Sequence, residues 1–156
     1  MIDNSDIQQK LHTRRRGMEL FHCPESPKIV DLYAGTGVIS ELMWKHYTDD
    51  LTLIEKEANK AAQIKFGKVI IGNNKDYLNL TIEADIVDAD AYGLVFKTIS
   101  DIVKISKKRK IIFFTESNPF TKSIYKSIDT IRELNPLAYW IEKSNSSSVF
   151  YGYLII

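Results

Sequence analysis

Short runs of β-branched and apolar residues alternate with longer stretches whose apolar positions recur every three or four residues, from one end of the 156-residue chain to the other. Runs of the first kind suit buried strands and stretches of the second suit amphipathic helices, so their alternation predicts an α/β domain with a largely parallel sheet covered on both faces. A leading helix is expected over 6–21, closed off by Pro24 and Pro27, with a first strand over 28–33. A helix over 37–46 carries Val38, Ile39, Leu42 and Met43 on one face, and a second strand over 51–54 ends in Glu55. A helix over 56–66, stopped by Gly67, leads to a third strand over 68–71 and a loop over 72–75. The fourth strand is expected over 85–89, a helix with Val95, Ile99, Ile102 and Val103 inward over 94–106, and the fifth strand over 110–115. Asn118-Pro119 breaks the chain before a helix over 121–134. The last two apolar runs, 137–143 and 148–156, flank a short polar segment and so pair as an antiparallel hairpin.

The passage between the first strand and the next helix carries the first candidate chemistry. Residues 28–37 read KIVDLYAGTG: an apolar run ending in Asp31, then Gly35 and Gly37. Glycines there let the backbone turn tightly and approach a bound ligand, as in nucleotide-type cofactor sites. Eighteen residues after Gly37 the second strand ends in Glu55, placed to hold ribose hydroxyls. A dinucleotide fingerprint would need a third glycine where Ser40 stands, and would set Asp31 against a pyrophosphate dianion. A carboxylate at that point favours a cationic ligand, such as the α-ammonium of S-adenosylmethionine, which carries ribose hydroxyls and no phosphate. The string DxxxGTG resembles the first motif of the class I S-adenosylmethionine-dependent methyltransferases, and Glu55 resembles their second. That resemblance implies a Rossmann-like, seven-stranded, mostly parallel sheet closed by an antiparallel hairpin, and cofactor contacts from Asp31, Tyr33, Gly35, Thr36, Gly37 and Glu55.

The end of the fourth strand is the second informative place. Asp88-Ala89-Asp90-Ala91-Tyr92-Gly93 puts two acids and an aromatic where a plain turn needs neither, although an acidic turn capping the next helix would use the same residue types. The run is similar to the fourth motif of amine-directed methyltransferases, most closely the Asp-x-Asp-Pro-Tyr-Gly form of the tRNA guanine-N2 methyltransferases. An exocyclic amino nitrogen is a poor nucleophile because its lone pair is delocalised into the ring. The resemblance therefore implies that Asp90 accepts its N–H, that the Ala91 carbonyl lies beside it, and that Tyr92 stacks on the base. Ala91 departs from the pattern, which has proline there. Asp88 is expected at the cofactor edge. Asn74-Lys75-Asp76-Tyr77-Leu78 is similar to the family's third motif, which assigns Asp76 and Tyr77 to the adenine, while an ordinary polar loop would contain the same residues.

Composition narrows the setting. The length suits one domain, with 1–27 as an N-terminal helical segment and 28–156 as the core. A net charge of +1 gives no global attraction to nucleic acid, so such a partner must meet a local patch. Arg14, Arg15 and Arg16 lie before the first strand, where the resemblance places the family's N-terminal segment over the cofactor mouth, and are expected to face substrate phosphates; Lys107 to Lys110 are expected to form a solvated face. No apolar run is long enough to span a bilayer, and no secretory pattern opens the chain. The single cysteine, Cys23, fits a reducing, cytoplasmic protein. The histidines, His12, His22 and His46, are scattered, and no metal is expected. The combined expectation is N-methylation of a nucleic-acid base, RNA over DNA. A protein or small-molecule substrate, or a non-catalytic cofactor-binding protein, remains open.

Overall fold

The computed structural model describes residues 6–91, 93, 95–117, 124–144 and 149–156. Helix α1 (Ile7–Leu20) precedes β1 (Ile29–Asp31), α2 (Val38–Leu42), β2 (Leu51–Glu55), α3 (Ala58–Ala61) and β3 (Lys68–Ile71). There follow β4 (Ile86–Asp90), α4 (Phe96–Ile105), β5 (Ile111–Ser117), α5 (Ile124–Glu133), β6 (Ala138–Lys143) and β7 (Val149–Ile155). The strands form one seven-stranded sheet in the order β3-β2-β1-β4-β5-β7-β6. The first five are mutually parallel, and β7 inserts between β5 and β6, antiparallel to both. This is the expected α/β sheet with its terminal hairpin. Because the chain goes outward from β1 to β3 and then returns to β4, the order reverses between β1 and β4, and a crevice opens beyond their carboxyl ends.

Strand pleating divides the core in two. Ile29, Leu53, Ile86, Phe113 and Tyr153 point to the face covered by α1 and Trp44, whereas Val30, Ile54, Val87, Ile112 and Leu154 point to the face covered by α4. The central strands are buried on both faces, and the edge strands β3 and β6 are half-exposed, as the doubly covered arrangement requires. Helix α1 lies close on the sheet: a Cβ at Gly17 would come within 2.5 Å of Phe113 Cε1.

Three expected elements are shorter or shaped differently, each for a packing reason. The helix over 37–46 is α2 followed by a single 3₁₀ turn, Trp44–His46, which carries the Trp44 indole into the core. The helix over 56–66 contracts to α3, because the chain must leave the helix for Ile64 to bury itself against Gly37. The loop at 72–75 runs into a 3₁₀ helix, Asn74–Thr81, started by the Asn73 side chain, which accepts the Lys75 N–H. Among the described residues no helix is long and apolar enough to cross a membrane.

Candidate functional site

Residues after β1 are held by strands on either side. The Leu32 N–H donates to the Asp88 carbonyl at 2.9 Å and the Ala34 N–H to the Ile54 carbonyl at 3.0 Å, which bends the chain across the sheet ends. The two glycines then serve different needs. Gly35 has φ +57° and a Cβ there would meet nothing within 4 Å, so its backbone faces open space. Gly37 has φ +82° and a Cβ there would press on Ile64 at 3.0 Å, so it permits close packing. Glu55 ties the loop to β2: its Oε2 accepts the Gly35 N–H and its Oε1 the Glu57 N–H, both at 2.8 Å.

Beside this loop lies a cavity of about 770 Å³ at the carboxyl ends of β1, β2, β3 and β4. Of the expected site residues, Tyr33, Gly35, Thr36, Glu55 and Asp90 line it. Asp31 lies beneath the loop instead, 3% exposed, with Oδ1 accepting the Tyr33 N–H at 3.1 Å and Oδ2 the Ser40 hydroxyl at 2.5 Å. Asp76 is exposed, and Tyr77 packs against Gly72 and the α4-side core. Asn73 and Asn74 stand at the cavity where that third motif was expected to act, and the Asn74 amide donates to the Tyr33 hydroxyl at 2.9 Å. Lys10, Lys56 and Lys60 also line the cavity and were not singled out from the sequence. For Lys10 a signal existed: it lies one helical turn before Arg14 on a helix expected over the site.

Arg14 and Asp88 are placed differently from expectation. Arg14 is 1% exposed and makes a bidentate pair with fully buried Asp88, Nε to Oδ2 at 2.7 Å and Nη2 to Oδ1 at 2.6 Å. The Trp44 indole N–H donates to the same Oδ2 at 2.7 Å. These bonds turn Asp88 away from the cofactor edge and Arg14 away from any phosphate. The physical reason is that β4 buries Asp88 on the α1 face, where an uncompensated carboxylate could not persist. Arg15 and Arg16 are exposed, and the Arg16 guanidinium lies 3.8 Å over the Trp140 ring.

Asp90, two residues further along β4, shares that face and reaches the cavity. Its Oδ2 pairs with Lys10 at 2.9 Å and lies 3.6 Å from Arg14, and the carboxyl also takes the hydroxyl of Thr115, its register partner on β5, while Oδ1 is buried. Burial works against the Asp90 charge, but Arg14 and Lys10 outweigh it and hold the carboxyl below its usual range. Asp31 faces Arg14 without pairing with it and goes the other way. Burial and the neighbouring Asp88 push it up to about 7 against the opposing Ser40 and Tyr33 bonds.

The backbone at Ala91 is fixed by a bond that proline could not make. Its N–H donates to the Ala89 carbonyl at 2.9 Å, closing a tight turn centred on Asp90, and the residue is 5% exposed. Tyr92 lies outside the described residues. Beyond it the Gly93 carbonyl accepts the Ser117 N–H at 3.2 Å, and Glu116 Oε2 accepts the Val95 N–H at 2.7 Å, anchoring the segment to the end of β5. Among the described residues no group of three or more potential metal ligands occurs.

No family model matches the chain, and no curated protein matches it by sequence. Solved structures do share its fold. The TYW2 protein of M. jannaschii, in complex with AdoMet, aligns with a TM-score of 0.67 at 18% identity, over 94% of this chain and 74% of that one. P. horikoshii TYW2, in complex with MeSAdo, aligns with a TM-score of 0.71 at 14% identity, over 99% of this chain and 63% of that one. A SAM-dependent methyltransferase from Archaeoglobus fulgidus aligns with a TM-score of 0.65 at 12% identity, over 96% of this chain and 94% of that one. At these identities the likeness is one of fold.

Proposed function

We propose that the chain binds S-adenosylmethionine in the cavity at the ends of β1 to β4 and methylates an exocyclic amino group of a nucleic-acid base, RNA in preference to DNA. The observation that carries this reading is the Asp90 carboxylate, held ionised by Arg14 and Lys10 at the wall of a cavity placed where open α/β sheets hold ligands. An ionised carboxylate at a cavity wall is an acceptor for a ligand N–H.

The residues present fit such a cofactor. Gly35 leaves the open space beside its backbone that a ligand needs. Each Glu55 oxygen accepts one backbone N–H and keeps a lone pair for a ribose hydroxyl. Asn73 and Asn74 offer amides to an adenine edge, in place of Asp76. Bound S-adenosylmethionine supplies an electrophilic methyl group on its sulfonium. The remaining work belongs to this chain: the Asp90 carboxylate accepts an N–H of the target amine and turns its lone pair, Arg14 and Lys10 keep Asp90 ionised for that task, and Tyr92 is assigned to stack on the base. The preference for RNA rests on the sequence form of residues 88–93.

The test is transfer of labelled methyl to bulk tRNA and to single-stranded DNA by the parent and by Asp90→Ala. The reading expects transfer to tRNA by the parent, and loss of transfer with nearly unchanged cofactor affinity in the variant. Normal cofactor binding with no transfer to either nucleic acid would turn the reading to a protein or small-molecule substrate.

A further inference from the structure

On the α1 face of β1 and β4 the buried acids outnumber the cations that α1 sets against them. Asp31 and Asp88 are register partners on adjacent strands, and Asp90 follows on the same face. Against these three carboxylates α1 sets Arg14, paired with Asp88, and Lys10, paired with Asp90. Asp31 is left to a hydroxyl and a backbone N–H. The groups facing it are Arg14 from α1, whose guanidinium is already paired with Asp88, Asp88 and Asp90 from β4 and the Ser40 hydroxyl from α2, while its register partner on β2 is the apolar Leu53. Leu32 and Tyr33, the residues that follow Asp31, line the cavity.

We propose that Asp31 releases a proton to solvent when a positively charged ligand enters the cavity, so that the site distinguishes S-adenosylmethionine from S-adenosylhomocysteine by charge. This inference rests on the cofactor reading above. The sulfonium gives S-adenosylmethionine a net positive charge, whereas the thioether product is neutral overall. A cation near the cluster favours the ionised carboxylate and lowers its proton affinity; the neutral product does not. With Asp31 held at about 7, the carboxyl is half-protonated at neutral pH, where such an exchange is largest. The arrangement would favour loading of the methyl donor and release of the spent product.

Calorimetric titration of the whole protein at pH 7, in two buffers of different ionisation enthalpy, counts the protons exchanged. A drop of one pKa unit at Asp31 releases about 0.4 proton per site. The expected result is a release near that size with S-adenosylmethionine, little with S-adenosylhomocysteine, and loss of the difference in Asp31→Asn. Ser40→Ala removes a bond to the ionised form, so the pH of maximal release should move upward; this variant serves if Asp31→Asn fails to fold. Equal proton counts for the two ligands, or an unchanged count and pH profile in the variants, would overturn the inference while leaving the cofactor reading intact. Failure of the parent to bind S-adenosylmethionine would overturn both.

Discussion

Replacing Arg14 with methionine removes a buried cation from beneath the site. The variant loses two charge-assisted hydrogen bonds to Asp88, at 2.6 and 2.7 Å, and leaves that fully buried carboxylate with the Trp44 indole alone. It also loses the Nη1 bond to the Lys10 carbonyl at 3.0 Å, which steadies α1. Removing one partner of a buried ion pair costs about 3–5 kcal/mol, because the other charge stays desolvated. That is a large part of the roughly 5–15 kcal/mol available to a domain. Chemical denaturation should show a loss of this size, with a melting temperature lower by about 10 °C. A double variant, Arg14→Met with Asp88→Leu, should lose less than the sum of its single changes. Arg15→Ala, on the exposed side of the helix, should change stability by less than about 0.5 kcal/mol. An Arg14→Met protein within about 1 kcal/mol of the parent, but weakened toward RNA, would refute the buried role and restore Arg14 to the substrate surface.

Glu55→Ala should weaken S-adenosylmethionine binding about 10- to 100-fold by calorimetry, through loss of the proposed ribose acceptor and of the tie to Gly35; unchanged affinity would count against the cofactor site. Ala91→Pro should cost about 1 kcal/mol in denaturation, since it deletes the N–H that closes the turn on Asp90; a gain in stability would contradict that. Asp31, held at about 7 in the folded protein and near 4 when unfolded, keeps its proton between those values only in the folded state. Its contribution to stability therefore falls as pH rises from about 4 to 7 and stays low above that window. Asp31→Asn, neutral throughout, should gain on the parent as pH rises; a difference independent of pH would exclude the shift.

The sheet and its order were legible because β-branched runs of the right length alternate with helical spacing, and because the short polar stretch before β7 leaves a hairpin as the economical ending. Gly35 and Glu55 were legible too, since backbone approach and a second acid at fixed spacing are local requirements. The use of each charge was not. Arg14, Arg15 and Arg16 are identical in sequence, and only the helical rotation against β4 decides that the first is buried while the others are exposed. Asp88 and Asp90 likewise differ only in depth along one strand face, which separates a structural counter-ion from a cavity residue. Lys10 acquires its place by a contact across 80 residues that no local pattern encodes.

Amide chemical-shift mapping on addition of S-adenosylmethionine tests the cofactor site most directly. The account predicts saturable changes centred on Ala34, Gly35, Thr36, Glu57, Gly72 and Asn73, the backbone around the cavity, with NADH giving none. No saturable change at these amides, or changes centred instead on the basic groove at Lys107, Lys108 and Arg109, would contradict it.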